Sequence, residues 1–320
     1  MTDTRPPASL LADAGLVVRA VPPQPRNGRA WLVEWRHEQG LLRQTLLADD
    51  GAAERAAADT AWLHGFLARL ASTGFPAPRP LAAFGGRSWT TSAGSLWQLA
   101  TFLPGDIVGW SPAPSMAEIG ALLGRYHAAV AALGPTDQRP AAMPLADVPA
   151  ILLSGLLDAA GVTADRAASI RRLAAELAAD LAGIGRAGPG PLVIHGDFTC
   201  HNVLATGAPP VAAGVIDFEL AHVEAPIADI GYGLWRSGRP HQDAGYLEAA
   251  RLQQFLRGYA GMRAVTAEQA RLIPLYLRGR GLQMIAKRVR AGIPETGMLA
   301  QVAWLSAHKD AVAEIFAAAC

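Results

Sequence analysis

The feature that most limits the fold is a change of character at Pro104-Gly105 in a chain of 320 residues. Before it, short β-rich runs alternate with turn-forming stretches. After it, apolar residues recur at helical spacing over long segments. Residues 16–21, 31–35 and 41–47 read as strands, the last two forming a hairpin through RHEQG. Residues 53–71 place Trp62, Leu63, Phe66, Leu67 and Leu70 at helical spacing, and the GFPAPRP stretch stops that helix. Proline lacks an amide donor and restrains the residue before it. Two further strand-like runs, 81–84 and 96–103, are joined through a GG turn. Beyond the boundary, residues 115–133 open with Ser115 as a helix cap and Glu118 three positions on, a capping-box pattern. Helices are also expected over 150–159, 163–184, 242–261, 267–291 and 294–318, with strand-like islands at 192–195 and 211–218. The expectation is a bilobal α+β protein. Residues 1–103 form a small antiparallel β lobe with one helix, residues 104–320 form a larger helical lobe, and a hinge lies near 101–105.

Composition removes several classes. Twenty-eight basic side chains oppose 27 acidic ones, with no block of like charge, so there is no nucleic-acid footprint. Cys200 and Cys320 are too few for a disulfide framework or zinc cluster, which favours a reducing compartment. No uncharged apolar run approaches the ~18–20 residues of a membrane span, and the first residues lack the pattern of a secretory signal. The expectation is a cytoplasmic protein without a membrane partner. Of the 28 basic side chains only Lys287 and Lys309 are lysines, and the rest are arginines. Neither follows a glycine, so a Gly-Lys-Ser/Thr phosphate loop is excluded.

The chemistry concentrates in residues 192–229, LVIHGDFTCHNVLATGAPPVAAGVIDFELAHVEAPIAD. His195-Gly196-Asp197 is followed by Asn202 five residues on, then by Asp217 and Glu219 after a second apolar run. Two apolar strands flanking a polar loop bring Asp197, Asn202 and Asp217 to neighbouring strand ends. Asn202 and Asp217 offer hard oxygens suited to Mg²⁺ that leave room for phosphates and water. Asp197 is then free to accept a proton from an attacking hydroxyl, as phosphoryl transfer requires. The plainer alternative makes Asp197 and Asp217 ordinary capping residues of a loop. A hydrolytic metal site from His195, Asp197 and His201 lacks HExxH or HxHxD spacing. The GYG at 231–233 lacks GxGxxG spacing and does not open a strand–turn–helix unit. His195 reads as a structural hydrogen-bonding residue, His201 and His222 as surface or loop residues, and Cys200 as a neutral loop thiol.

HGDFTCHN followed by VIDFE resembles the catalytic loop and metal motif of the aminoglycoside phosphotransferase and choline kinase-like superfamily, which shares the protein-kinase fold. The resemblance extends to LLRQ as a third strand, WLHGFLARLASTGFPAPRP as the small-lobe helix and its exit, and TFLPG as the hinge. It implies ATP and Mg²⁺ as cofactors, Asp197 as catalytic base, and Asn202 and Asp217 as magnesium ligands. Asp229 matches the family's structural aspartate that braces the catalytic loop. By the same resemblance Thr101 and Leu103 contact adenine through a carbonyl and an amide, and the PPQPRNGR hairpin covers the phosphates. Its Asn27-Gly28 serves equally as a plain turn.

The small lobe departs from the pattern. Kinase-like enzymes hold the α/β-phosphates with a third-strand lysine paired to a helix glutamate. No lysine precedes residue 287, and Arg43 stands in the lysine position. Arginine grips phosphate through a larger, differently aimed fork. The glutamate position falls on Leu63 or His64, with Glu54 and Asp59 earlier on the same helix as substitutes.

These residues predict a kinase that phosphorylates a hydroxyl of a small molecule. The rival, prompted by the missing lysine and glutamate, is a non-catalytic kinase-like nucleotide-binding or scaffold protein. From residue 225 onward twelve basic residues face seven acidic ones. A polycationic aminoglycoside would need a carboxylate-lined cleft, so a neutral or anionic acceptor is expected. Arg278, Arg280, Lys287, Arg288 and Arg290 cluster on one segment, read as a solvated face over a buried stripe of Leu277, Leu282, Ile285 and Val289. Glu219 and Glu224 remain available to anchor one amino group.

Overall fold

The computed structural model describes residues 5–20, 29–111, 113–136, 139, 143–183, 190–293 and 297–320. The Asn27-Gly28 turn lies outside them. The chain forms two compact units: Met1–Pro104 with Gly214–Ile216, and Gly105–Ala213 with Asp217–Cys320.

The first unit contains helix α1 (Ala8–Ala14), strands β1 (Val17–Ala20), β2 (Arg29–Trp35) and β3 (Glu38–Leu46), helix α2 (Asp50–Ala71), and strands β4 (Trp89–Ser92) and β5 (Ser95–Thr101). The five strands make one antiparallel sheet in the order β1-β2-β3-β5-β4. Alternation along the strands sends Trp31, Val33, Leu42, Trp97 and Leu99 into one core, to which α1 adds Leu10 and Ala14. The lobe therefore carries two helices where one was expected. Helix α2 begins at Asp49, whose carboxylate accepts from Ala52 N at 2.7 Å, relieving an orphan amide of the first turn.

Residues 81–84 form no strand. The positive-φ glycines Gly85 and Gly86 fold Phe84 back onto Arg87, while Leu81 is buried in the sheet core. The apolar run marks core filling, and Trp89–Ser92 takes the edge position instead.

The second unit opens with β6 (Asp106–Ile107), α3 (Met116–Ala132), α4 (Val148–Leu153), α5 (Leu156–Ala159) and α6 (Ala164–Ala182). Strands β7 (Leu192–Ile194), β8 (Val203–Thr206), β9 (Val211–Val215) and β10 (His222–Glu224) follow. Helices α7 (Pro226–Ser237), α8 (Ala249–Ala260), α9 (Ala267–Ala270), α10 (Ile273–Arg290), α11 (Met298–Ala307) and α12 (Lys309–Ala317) complete it. The capping box of α3 is present, with Ser115 and Glu118 bonding each other's amides. Strand β8 and helix α7 were not anticipated. Pro226 occupies the first turn of α7, where its missing amide costs little.

Helices α3 and α8 approach through glycines: a Cβ on Gly258 would stand 1.9 Å from the Ala117 carbonyl oxygen. Helix α10 packs against α7, α11 and α6 and is buried along most of its length. Among the described residues no helix is long and apolar enough to cross a membrane.

Candidate active site

The loop after β7 is held from below by one buried carboxylate. Asp229, in the first turn of α7, accepts from His195 N at 2.7 Å and Gly196 N at 2.9 Å. His127 of α3 adds an Nε2 contact to Asp229 at 3.2 Å, and its Nδ1 meets the Tyr259 hydroxyl at 2.8 Å. Burial opposes ionisation of Asp229, but the partners outweigh it and lower its pKa. Burial lowers the pKa of His127 in spite of Asp229. The chain Tyr259–His127–Asp229 thus ties α8, α3 and α7 to one loop. Gly196 sits at φ 76°, where an added Cβ would lie 2.3 Å from the Leu220 oxygen. Only glycine fits there.

This support presents Asp197. Its backbone oxygen accepts from Asn202 Nδ2 at 2.9 Å, and its carboxylate Oδ2 lies 3.4 Å from the same nitrogen. Asn202 closes a 3₁₀ turn, Cys200–Asn202, and is nearly buried. With its amide nitrogen directed at Asp197, the amide oxygen is the atom left to bind a ligand. Strands β8 and β9 are neighbours, so Asn202 just before β8 and Asp217 just after β9 lie at one end of the hairpin. Asp217 is exposed and left-handed, at φ 68° and ψ 58°, a conformation that aspartate tolerates better than most residues.

Helix α10 supplies the residue not foreseen. Arg280, 5% exposed, donates from Nη2 to Asp197 Oδ1 at 2.6 Å and from Nη1 to Gln283 Oε1 at 2.7 Å. Gln283 in turn donates to the Met143 carbonyl at 2.6 Å, and the guanidinium lies over the Tyr232 ring. Arg278, 3% exposed, is paired with Asp180. The expected solvated face is therefore corrected: these two arginines are buried because carboxylates from α6 and the β7 loop meet them. The RGRG run held the clue. A Cβ on Gly279 would strike Leu145 and one on Gly281 would strike Trp235, so both flanks of Arg280 are tightly packed.

Several other expectations change. His222 is buried, on β10, with Nε2 2.8 Å from Glu224 Oε2. Burial resists its protonation, but Glu224 and the Leu220 carbonyl prevail and raise its pKa. The same Glu224 oxygen accepts from the Tyr232 hydroxyl at 2.9 Å. The Cys200 thiol is buried, and burial pushes its pKa up, in keeping with the neutral thiol expected.

In the first unit, Arg43 lies on β3 opposite Ala30 and Gln98. His64 of α2 meets Ser88 Oγ at 2.7 Å through Nδ1 and bonds Gln98. Burial lowers its pKa to about 4, so a neutral imidazole occupies one of the two positions considered for the helix glutamate. Glu54 and Asp59 are exposed. The Thr101 amide donates to Arg79 O at 2.8 Å, and the Thr101 hydroxyl accepts from Arg79 N at 2.9 Å. Leu103 is partly exposed just beyond β5.

The profile of the phosphotransferase enzyme family matches residues 21–265. A homoserine kinase of Acidiphilium cryptum is 27% identical over 239 residues, covering 72% of this chain and 70% of its own. Among solved structures, an amicoumacin kinase in complex with AMP-PNP, Ca²⁺ and Ami superposes with a TM-score of 0.67 at 15% identity, over 97% of this chain and 94% of that one. A microcompartment-associated aminopropanol kinase gives 0.64 at 19% identity, over 93% and 91%. Both share the fold.

Proposed function

Since the chain belongs to the phosphotransferase enzyme family and is a small-molecule kinase with a hydroxyl acceptor, we propose that it transfers the γ-phosphoryl group of ATP, with Mg²⁺, to a neutral or anionic alcohol. The observation that supports this most is the hydrogen-bonded setting of Asp197. One carboxylate oxygen is fixed by Arg280, and the other, among the described residues, has a long contact with Asn202.

In this reading Asp197 Oδ2 accepts the proton of the acceptor hydroxyl as that oxygen bonds to the γ-phosphorus. The bond between the γ-phosphorus and the bridging oxygen breaks, and ADP leaves. Asn202 Oδ1 and the Asp217 carboxylate would hold Mg²⁺; two hard oxygens fit an ion that takes its other ligands from phosphates and water. When bound, the ion supplies neutralisation of phosphate charge. Arg43 is assigned to orient the phosphates, the Thr101 carbonyl and Leu103 amide to contact adenine, and Asp229 to keep the loop in place. The AMP-PNP in the amicoumacin kinase supports an adenine nucleotide. The surplus of basic residues beyond position 225 supports an acceptor that is not polycationic.

ADP release measured across amino alcohols, hydroxy acids, sugars, nucleosides and aminoglycosides, with and without Mg²⁺, tests the reading. Turnover should require Mg²⁺, and Asp197→Ala should lower it by about 10²–10⁴, the scale of a general base. ATP binding without turnover on the whole panel would instead favour a non-catalytic nucleotide-binding protein.

A further inference from the structure

The contacts around Arg280 close into a circuit that returns to the loop carrying Asp197. Strand β10 pairs with β7, His222 opposite Ile194 and Glu224 opposite Leu192. Both side chains are thus placed by the strand that leads into that loop. His222 Nδ1 lies 2.8 Å from the Leu220 carbonyl oxygen and Nε2 lies 2.8 Å from Glu224 Oε2. A carbonyl oxygen can only accept, and Oε2 already accepts from the Tyr232 hydroxyl at 2.9 Å. Both nitrogens of the imidazole therefore carry hydrogen, and a cation secures Glu224.

Tyr232 stands between this pair and Arg280. Its hydroxyl ends on Glu224, and its ring lies against the guanidinium, with the centroid 5.4 Å from Cζ. The backbones that carry the two residues have no slack. A Cβ on Gly231 would stand 2.5 Å from Tyr276 Cβ, and one on Gly281 would stand 2.4 Å from the Trp235 ring. With helices α7 and α10 fixed this closely, the tilt of the Tyr232 ring is what remains to be set, and the bond to Glu224 sets it. A buried tyrosine hydroxyl needs a partner, and a backbone carbonyl would serve that need alone. Here the partner is a carboxylate, itself held by a cation, and Arg280 passes the constraint on to Asp197 at 2.6 Å.

We propose that Glu224 and Tyr232 are positioning residues for phosphoryl transfer: Glu224 fixes Tyr232, Tyr232 seats the Arg280 guanidinium, and Arg280 aims the Asp197 carboxylate at the acceptor hydroxyl. This role rests on the kinase reading. It takes Glu224 away from the acceptor's amino group, the use that its sequence position left open.

Steady-state kinetics separate this role from a structural one, using whichever of ethanolamine, glycerol, glycerate, ribose and homoserine is phosphorylated fastest. Rates are taken per ATP-binding site, counted by titration, so that loss of folded protein does not enter. Glu224→Gln and Tyr232→Phe, both nearly isosteric, should each lower kcat by about threefold to thirtyfold, the scale of a slight misplacement of the base. KM for ATP and for the acceptor should stay within about twofold. Tyr232→Leu, which also removes the ring, should lose more than Tyr232→Phe. In an Arg280→Met background the Glu224→Gln and Tyr232→Phe changes should alter kcat by less than about twofold, because the residue through which they act is gone. Full, additive losses in that background would overturn the assignment and leave the kinase reading intact, as would an unchanged kcat in the single variants. A raised KM for the acceptor at constant kcat in Glu224→Gln would put that carboxylate on the acceptor and overturn it as well. Absence of transfer from ATP to every alcohol by the unsubstituted protein would overturn the kinase reading, and this assignment with it.

Discussion

Arg280 Nη2 donates to Asp197 Oδ1 at 2.6 Å, joining two residues 83 positions apart. The guanidinium is itself held by Gln283 and stacked over Tyr232, so it is a rigid partner. Asp197 is partly exposed, and its carboxylate plane is set by this contact. Arg280 is in this sense a positioning residue.

Replacing Arg280 with methionine should lower kcat by about tenfold to a hundredfold, the cost of a misplacement near 1 Å. KM for ATP should stay within about twofold, and Arg280→Lys should recover part of the loss. Steady-state kinetics with both substrates varied would show it. A purely structural role would predict parallel loss of kcat and thermal stability in both variants.

Asp217→Asn removes a negative charge but keeps an oxygen and the left-handed backbone that asparagine also tolerates. The Mg²⁺ concentration giving half-maximal activity should rise by about tenfold or more, with the unfolding temperature little changed. An unchanged magnesium titration would remove Asp217 from the metal site.

His64 gives a pH dependence of defined sign. Its folded pKa of about 4 lies below the ordinary histidine value, so the unfolded chain binds a proton that the folded chain resists. Stability should fall as pH drops from about 6.5 toward 4, by on the order of 3 kcal/mol in total. His64→Asn should flatten that part of the curve. Denaturant unfolding at several pH values, comparing the two proteins, isolates the contribution from those of His127 and His222.

Gly258→Ala tests the α3–α8 contact. An added methyl would meet the Ala117 carbonyl oxygen at 1.9 Å and push the helices apart, costing about 1–3 kcal/mol or more. Gly261→Ala is the control, since its nearest neighbour is at 3.5 Å and its backbone is right-handed helical. The first variant should unfold several degrees lower and the second within about one degree.

Much of this arrangement was legible locally. The capping box at Ser115 and Glu118, the strand pairing around Leu42, and the HGD…N…D order depend on residues close in sequence, where periodicity and turn chemistry act directly. Helix α7 was hidden because Pro226, Gly231 and Gly233 resemble breakers. Proline is harmless in a first turn, and a Cβ on Gly233 would lie 2.1 Å from the Phe198 oxygen, so these residues serve close packing. The run at 81–84 misled for the opposite reason, being apolar enough for a strand yet used as core beside a glycine reversal.

By itself the sequence determined the loop that carries Asp197 and Asn202, the Asp217 that follows the next two strands, and the absence of a small-lobe lysine, with Arg43 on the third strand. Tertiary structure alone decided which charges surround that loop. An arginine on a helix reads as solvated unless a carboxylate meets it, and the carboxylates that bury Arg278 and Arg280 come from segments 98 and 83 residues away. Periodicity is a local property, whereas the burial of a charge depends on a partner that only folding brings within reach.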